Sequence, residues 1–281
     1  MALAECCVSC LYEKQKQVSR DPAYLGEITR IIENRRPCDT SPYLLYLFQQ
    51  TYARYYGKAA PFGEAKRKYN DLVLSMEDAV RMQIESAEEP LARALVYARV
   101  GNYIDFGALD KVDEASFLAL FHEAQLTAAD KPVLDSFLRQ CREARRFLLI
   151  CDNCGEIVLD KLFLEQIKKR FPQLACTVMV RGEETLNDAT LVDAEYVGMD
   201  RLAEIVSNGT SIAGTVYEML PENAKEALDH ADIVLAKGQG NYESLSRQGR
   251  HIFYSFLCKC ELFTERFRVP LFTGVFAEEL E

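Results

Sequence analysis

Four short apolar runs in the second half of the chain lead directly into polar, glycine-bearing residues that could do chemistry. FLLIC runs into Asp152-Asn153-Cys154-Gly155-Glu156, CTVMV into Arg181-Gly182 and on to Asn187-Asp188-Ala189, IVS into Asn208-Gly209-Thr210, and DIVLA into Lys237-Gly238-Gln239-Gly240-Asn241. Asp152 and Asn153 offer a carboxylate and an amide carbonyl, hard oxygen donors that suit Mg²⁺ or Mn²⁺, and Asp188 can add a second carboxylate from the next run. Three oxygen ligands leave positions for water and substrate. Read locally, Asp-Asn after a strand also serves as an N-cap or Asx turn, and Asn187-Asp188 alone is an ordinary turn. Only the pairing of Asp152 with Asp188 suggests a site. The Asn208-Gly209-Thr210-Ser211 segment, with Gly214 and Thr215 beyond it, can aim backbone N–H groups and hydroxyls at an anion. It has no Gly-x-Gly-x-x-Gly or Walker spacing, so a plain turn fits it as well. Lys237 follows its apolar run directly, where a solvated lysine is less expected and a positive charge suits a phosphoryl oxygen. Asn241 and Glu243 stand where they could orient it or the substrate.

These residues gather on one edge of a sheet if the runs are strands. FLLIC, CTVMV, IVS, DIVLA and IFYSFL are rich in Val, Ile and Phe, and helical stretches separate them. IVLDKLFLEQIKKRF reads as a helix between the first two, and PENAKEALDHA as another before the fourth, with Pro221 in its first turn. Strands alternating with helices predict an α/β domain with a mostly parallel sheet, and ligands in such sheets bind beyond the carboxyl ends of the strands. The first half reads as helices. Ser41-Pro42 supplies an N-cap and a first-turn proline ahead of Tyr43, Leu44, Leu47, Phe48 and Tyr52, and similar patterns cover Met76–Val100, Ala115–Ala124 and Asp130–Arg145. Between them lies GNYIDFGALD, a polar loop carrying Asn102 and Asp105; nothing local shows whether it faces the strand ends. The change of texture divides the chain into a helical region, 1–145, and an α/β region, 146–281, and this boundary could be a packed interface.

Composition narrows the chemistry. The chain has 281 residues, 49% hydrophobic and 27% charged, as folded proteins do. Its 33 basic and 43 acidic residues give a net charge of -10, which opposes general binding to nucleic acid or anionic lipid. No apolar run approaches the roughly 20 residues that span a bilayer, and MALAECCVSC lacks the pattern of a secretory leader. Ten cysteines in that setting predict a reducing compartment, with the cytoplasm as the default. Three histidines make a multi-His metal site improbable. Cys7 and Cys10 form a Cys-x-x-Cys beside Cys6 and could hold a structural Zn or Fe, with free thiols as the usual alternative; Cys151 and Cys154 form a second such pair around the Asp-Asn dipeptide.

In their order, CDNCGEIVLDKL, NDATLVDA, SNGTSIAGT and AKGQGNYESL resemble the DUF89 family, also called ARMT1-like or damage-control phosphatases. The resemblance covers most of the chain. GNYIDFG is similar to the family's loop before the catalytic half, and the N-terminal Cys-x-x-Cys resembles that of stand-alone bacterial and archaeal members. The resemblance implies a helical N-terminal region packed on a three-layer α/β/α, Rossmann-like domain. It also implies a divalent-metal-dependent phosphatase, using Mg, Mn, Co or Ni, for small phosphorylated metabolites such as sugar phosphates. Carried over by position, Asp152, Asn153 and Asp188 match the metal ligands, while Lys237 and the Asn208-Gly209 loop match positions near the phosphate. Asn102, Asp105, Glu156, Asn187 and Asn241 match further motif positions. Many relatives carry an acidic residue where this chain has Ser211-Ile212, a departure that bears on substrate choice. The expected catalytic residues are thus Asp152, chiefly as a ligand, and Lys237. A phospho-aspartate route would ask for an acid at position 154, which is Cys, so direct attack by water is the simpler expectation. The rivals are an S-adenosylmethionine-dependent protein carboxyl methyltransferase, an activity associated with the family's human member, and a non-catalytic protein that holds a phosphorylated metabolite.

Overall fold

The computed structural model describes residues 3–58, 61–103 and 124–280. Asp105, and all but the last residue of the helix expected over Ala115–Ala124, lie outside them. The first half forms α1 (Glu5–Val18), α2 (Pro22–Glu33), α3 (Ser41–Tyr56), α4 (Gly63–Ser75), α5 (Glu77–Glu85) and α6 (Pro90–Val100). A 3-10 turn at Gly101–Tyr103 and α7 (Asp130–Glu143) follow. Strands and helices then alternate: β1 (Arg146–Ile150), α8 (Glu156–Arg170), β2 (Ala175–Val180), α9 (Leu191–Tyr196), β3 (Glu204–Ser207) and α10 (Glu222–Asp229). The chain continues through β4 (Ile233–Lys237), α11 (Gln239–Leu245), β5 (Ile252–Leu257), α12 (Glu261–Phe267) and β6 (Gly274–Glu279).

Several element starts differ from the sequence expectation. Thr40, not Ser41, stands at the N-cap of α3, and Pro42 falls in the first turn as anticipated. Ala129 precedes α7, and Asp130 instead accepts a hydrogen bond from Thr127 N at 2.7 Å. Pro221 is extended (ψ 162) and caps α10 from outside. The periodic stretch Met76–Val100 is two helices, because Pro90 cannot donate to a continuing helix and instead opens α6.

The sheet order is β3-β2-β1-β4-β5-β6. β1 to β5 run parallel, and β6 pairs antiparallel with β5. β6 was not expected from the sequence. At the sheet edge only its Val275 and Phe276 are buried, so it shows neither strict alternation nor a continuous apolar run. The chain builds outward from β1 to β3, returns, and builds the other way from β4. The connections after β1 and β4 therefore part from each other, the arrangement at which ligands bind beyond the carboxyl ends of a parallel sheet.

Alternate side chains of these strands enter opposite layers. Phe147, Leu149, Ile233 and Leu235 share a core with Leu95 of α6, Phe137 of α7 and Leu159 and Phe163 of α8. Leu148, Ile150, Val234 and Ala236 pack with Leu228, Leu245 and Phe263 of α10 to α12. This is a three-layer α/β/α arrangement. α8 lies between the sheet and α4 to α6 and is buried along most of its length, so that even its polar residues Glu156, Asp160, Lys161 and Gln166 are buried. A third apolar cluster, including Tyr24, Ile28, Leu44 and Phe48, joins α1 to α3, and α3 rests on α11.

Phe137 is fully buried, with its ring centroid 5.1 Å from Phe253 and 6.1 Å from both Phe147 and Phe276. It holds α7 to the sheet. Phe137→Ala is expected to cost about 3–5 kcal/mol, read as a lower urea midpoint at unchanged slope. Among the described residues no helix is long and apolar enough to cross a membrane.

Candidate functional site

The polar residues converge beyond the carboxyl ends of β1 and β4. Beyond β1, Ala189 N donates to Asp152 O and Cys154 N to Asn187 O, both at 2.8 Å, and Asn153 and Asp188 form an isolated antiparallel bridge. These bonds lash the β1–α8 loop to the β2–α9 loop. Asp152, Asn153 and Asp188 are thereby brought together, as the sequence pairing anticipated. From the β4 side, Gly238 packs against the same point. Its φ is 79 and its ψ 153, and a Cβ there would stand 2.0 Å from Asp152 Oδ2. Gly238→Ala is expected to cost at least about 1–3 kcal/mol through backbone strain, before adding the collision with Asp152; thermal melts would show it.

Carboxylates crowd this point. Asp152 retains 13% side-chain exposure, while Asp188 retains 4% and Glu156 none. Asp152 is thus the member open to solvent. Burial, then Asp188 and Glu156, push its carboxyl up to about 8, against the opposing pull of Arg181 and Lys259. Burial raises Asp188 as well, with Arg181 and Lys66 offsetting part of it. Asn102, from the 3-10 turn after α6, donates to Asp152 Oδ2 at 3.0 Å and to Glu156 Oε2 at 2.8 Å. Asn153 Nδ2 donates to Asp152 Oδ2 at 2.8 Å. The helical half therefore supplies part of the site. It also supports the site from behind: Gly155 N donates to Asn70 Oδ1 of α4 at 2.7 Å, and Lys66 pairs with Asp193 at 2.6 Å.

Lys237 sits beneath this cluster, fully buried. Its ammonium donates to Glu156 Oε1 at 2.7 Å, Asp160 Oδ1 at 2.5 Å and Ala98 O at 3.0 Å. All three of its N–H donors thus face protein acceptors. Burial alone would lower its pKa, but Asp160 and Glu156 raise it above the ordinary lysine value. One cation faces two carboxylates, and the surplus charge falls on Asp160. Burial pushes the Asp160 carboxyl up to about 7 despite Lys237, and its Oδ2 has no hydrogen-bond partner among the described residues.

Arg181, immediately after β2, is 1% exposed. Its Nε donates to Asp188 Oδ2 at 2.7 Å, and its Nη1 to Asn241 Oδ1 at 3.1 Å and Thr215 Oγ1 at 3.3 Å. Asn241 also donates to Lys237 O at 2.6 Å and Cys151 O at 3.2 Å, so one amide joins the ends of β1 and β4 to Arg181. The Asn208 loop is tied up differently. Gly182 N and Thr210 N donate to Asn208 Oδ1 at 2.9 and 3.0 Å, Gly209 N to Ser207 Oγ at 3.1 Å, and Ile212 N to Thr210 Oγ1 at 3.3 Å. These amides brace the ends of β2 and β3 and do not point at a common anion. Asn187 is buried and contributes its carbonyl to the loop pairing.

The donor set suits a hard divalent cation: the partly exposed carboxylate of Asp152, the buried one of Asp188 and an amide carbonyl, in a cluster whose negative charges are only partly offset. The two amide protons on Asp152 Oδ2 do part of the work that a cation would do there. Among the described residues no three His, Cys, Asp or Glu side chains form a cage by themselves. Cys6 and Cys10 are exposed, and Cys7, half-buried near Glu243 and Cys260, has its thiol pushed up to about 12 by burial and then by Glu243. Glu243 lies against α1 and α3, and burial raises its carboxyl.

Asp160 was not singled out from the sequence, Arg181 and Gly238 were named there only as strand-end residues without a role, and Thr215 only as part of an anion-binding loop. Arg181 ends its strand just as Lys237 does, and Asp160 falls one helical turn after Glu156, so both carried a visible signal.

A family model described as the damage-control phosphatase ARMT1-like domain matches residues 2–273. The chain is 31% identical over 220 residues to an uncharacterized protein of Methanocaldococcus jannaschii, covering 75% of this chain and 71% of that one. It is 29% identical over 276 residues to a damage-control phosphatase of Archaeoglobus fulgidus, covering 93% of each. With a damage-control phosphatase of Pyrococcus horikoshii it shares 29% over 230 residues, 80% of this chain and 76% of that one. The fold is similar to the crystal structure of a DUF89 family protein from Pyrococcus horikoshii, with a TM-score of 0.79 over 99% of each chain at 21% identity. By a family match that runs almost from end to end, this chain belongs to the damage-control phosphatase ARMT1-like family, DUF89.

Proposed function

We propose that this protein is a divalent-metal-dependent phosphatase that hydrolyses small phosphorylated metabolites, sugar phosphates or related phosphomonoesters, in metabolite damage control. The observation that carries the reading is the convergence of Asp152, Asp188 and Glu156 with Arg181 at the point where the strand order reverses. The names of two relatives support a phosphatase in damage control.

Asp152, Asp188 and the Asn153 carbonyl would hold the ion. When bound, a divalent cation draws charge from the phosphoryl oxygens and helps place the reactants. Hydrolysis forms a bond from a water oxygen to phosphorus and breaks the ester P–O bond. The ester oxygen leaves with the bonding pair and takes up a proton, giving an alcohol and inorganic phosphate. Glu156 keeps Asn102 and Asn153 aligned on Asp152 from below, and the Lys237 ammonium keeps Glu156 in place. Cys154, fully buried and held protonated by burial, donates toward Asp188 O, so no second acid stands two residues beyond Asp152. Direct attack by water agrees with that arrangement.

The test is release of inorganic phosphate from para-nitrophenyl phosphate and a sugar-phosphate panel by metal-stripped protein, with Mg²⁺, Mn²⁺, Co²⁺ or Ni²⁺ restored singly. Turnover that returns with metal supports the proposal. Absence of phosphate release with every ion, together with methyl transfer from S-adenosylmethionine to a protein carboxylate, would replace it.

A further inference from the structure

Arg181 has five N–H donors, and they divide unevenly. Nε engages Asp188, and both protons of Nη1 have acceptors in Asn241 and Thr215. Nη2 is buried and has no hydrogen-bond partner among the described residues. It stands 3.5 Å from Asp152 Oδ1, close enough for charge attraction but not engaged in a hydrogen bond. A buried donor left unmade is costly, and such groups persist where a ligand completes them. Here the free edge faces Asp152, the carboxylate of the cluster that solvent reaches.

Among the described residues, the groups that the sequence pointed to for a phosphoryl oxygen are engaged elsewhere. Lys237 donates to Glu156, Asp160 and Ala98 O, and the amides of Gly182, Gly209 and Thr210 close the Asn208 loop on itself. We infer that Arg181 is the phosphoryl-binding residue of this site: its Nη2 edge takes a non-bridging phosphoryl oxygen while its Nε stays on Asp188. A guanidinium can serve both because its donors point along different edges of one rigid plane. A lysine ammonium carries its three donors on one atom and could not span Asp188, Asn241, Thr215 and a phosphoryl oxygen together. The fixed geometry also means the group needs no rearrangement as charge accumulates on the phosphoryl oxygens. The ligand class is a phosphate monoester dianion or inorganic phosphate. The inference rests on the phosphatase reading for its chemistry, but the binding step can be tested without turnover.

Inorganic phosphate is titrated calorimetrically into the full chain in saturating Mg²⁺, comparing the native protein with Arg181→Lys and Arg181→Ala, and ester hydrolysis is measured in parallel. Arg181→Lys keeps the buried charge beside Asp188. It is expected to stay folded and to bind Mn²⁺ much as the native protein does, yet to bind phosphate about 10- to 100-fold more weakly. Its kcat is expected to fall by about 100-fold. Added guanidinium ion should restore part of both losses to Arg181→Ala. Weaker phosphate binding in the variants of a protein that hydrolyses no ester would support the inference and contradict the phosphatase reading. A folded Arg181→Lys with native phosphate affinity, KM and kcat would overturn the inference and leave that reading intact. Failure of the native protein to bind phosphate would also overturn it.

Discussion

Asp152→Asn is expected to lower metal-supported phosphomonoester hydrolysis by about 1000-fold or more while leaving the protein folded. The substitution keeps the shape of the side chain and removes one negative charge from a cluster that also contains Asp188 and Glu156. Its effect on stability runs opposite to its effect on activity. The Asp152 carboxyl sits at about 8 in the folded protein against an ordinary 3.8. Between those values the metal-stripped native state holds a proton that the unfolded chain has lost. The contribution of this group to stability is therefore full below 3.8 and declines as the pH rises toward 8. Without metal, Asp152→Asn should melt above the native protein at pH 8 and converge with it near the acid end of that window. Adding Mn²⁺ should raise the melting temperature of the native protein and move that of the variant far less. Thermal melts at both pH values, with and without Mn²⁺, beside a phosphate-release assay, check each part. A variant that retains activity within tenfold of the native protein would count against Asp152 as a ligand.

Lys237→Met should cost about 3–5 kcal/mol of stability at pH 8, because it strands buried carboxylates without their cation. Glu156 and Asp160 lie four residues apart on α8, face the same ammonium, and have no solvent to turn to. The sign of the pH dependence follows from Asp160, whose folded pKa is already raised to about 7. Losing Lys237 removes the main group that opposes this rise. A carboxyl raised on folding stabilises the protein at low pH and loses that contribution as the pH increases. The deficit of Lys237→Met should therefore be smaller at pH 5 than at pH 8, and adding Asp160→Asn should recover part of it at pH 8. Denaturant unfolding at the two pH values provides the measurement. A loss of equal size at both would mean that packing around the lysine stem, and not charge, sets the cost.

What could be read in the sequence was the position of residues along strands, and what could not was the destination of their hydrogen bonds. β1 to β5 were visible as apolar runs because parallel strands are covered on both faces, and the polar residues after them had to lie at one edge. Asp152 and Asp188 come together because β1 and β2 are neighbours, which the alternation of strands and helices already implied. β6 escaped notice because an antiparallel edge strand with two buried residues has no such run. Lys237 was placed correctly in the chain, but only tertiary structure could show α6 and α8 closing over it with Ala98 O, Glu156 and Asp160. The Asn208 loop shows the same limit. An Asx turn and an anion cradle use the same residue types, and the difference lies in whether Asn208 Oδ1 turns inward to collect Gly182 N and Thr210 N. Arg181 was legible as a strand-end residue, but its unpaired Nη2 edge appears only when Asp188, Asn241 and Thr215 are in place around it.

The most direct test of the metal site at the centre of this account is anomalous diffraction from crystals of the full chain grown with Mn²⁺ and inorganic phosphate. The account predicts a manganese peak at coordination distance from Asp152, Asn153 and Asp188, with phosphate density between it and Arg181. Manganese bound elsewhere, or no peak at these residues under conditions where the protein releases phosphate from its esters, would contradict it.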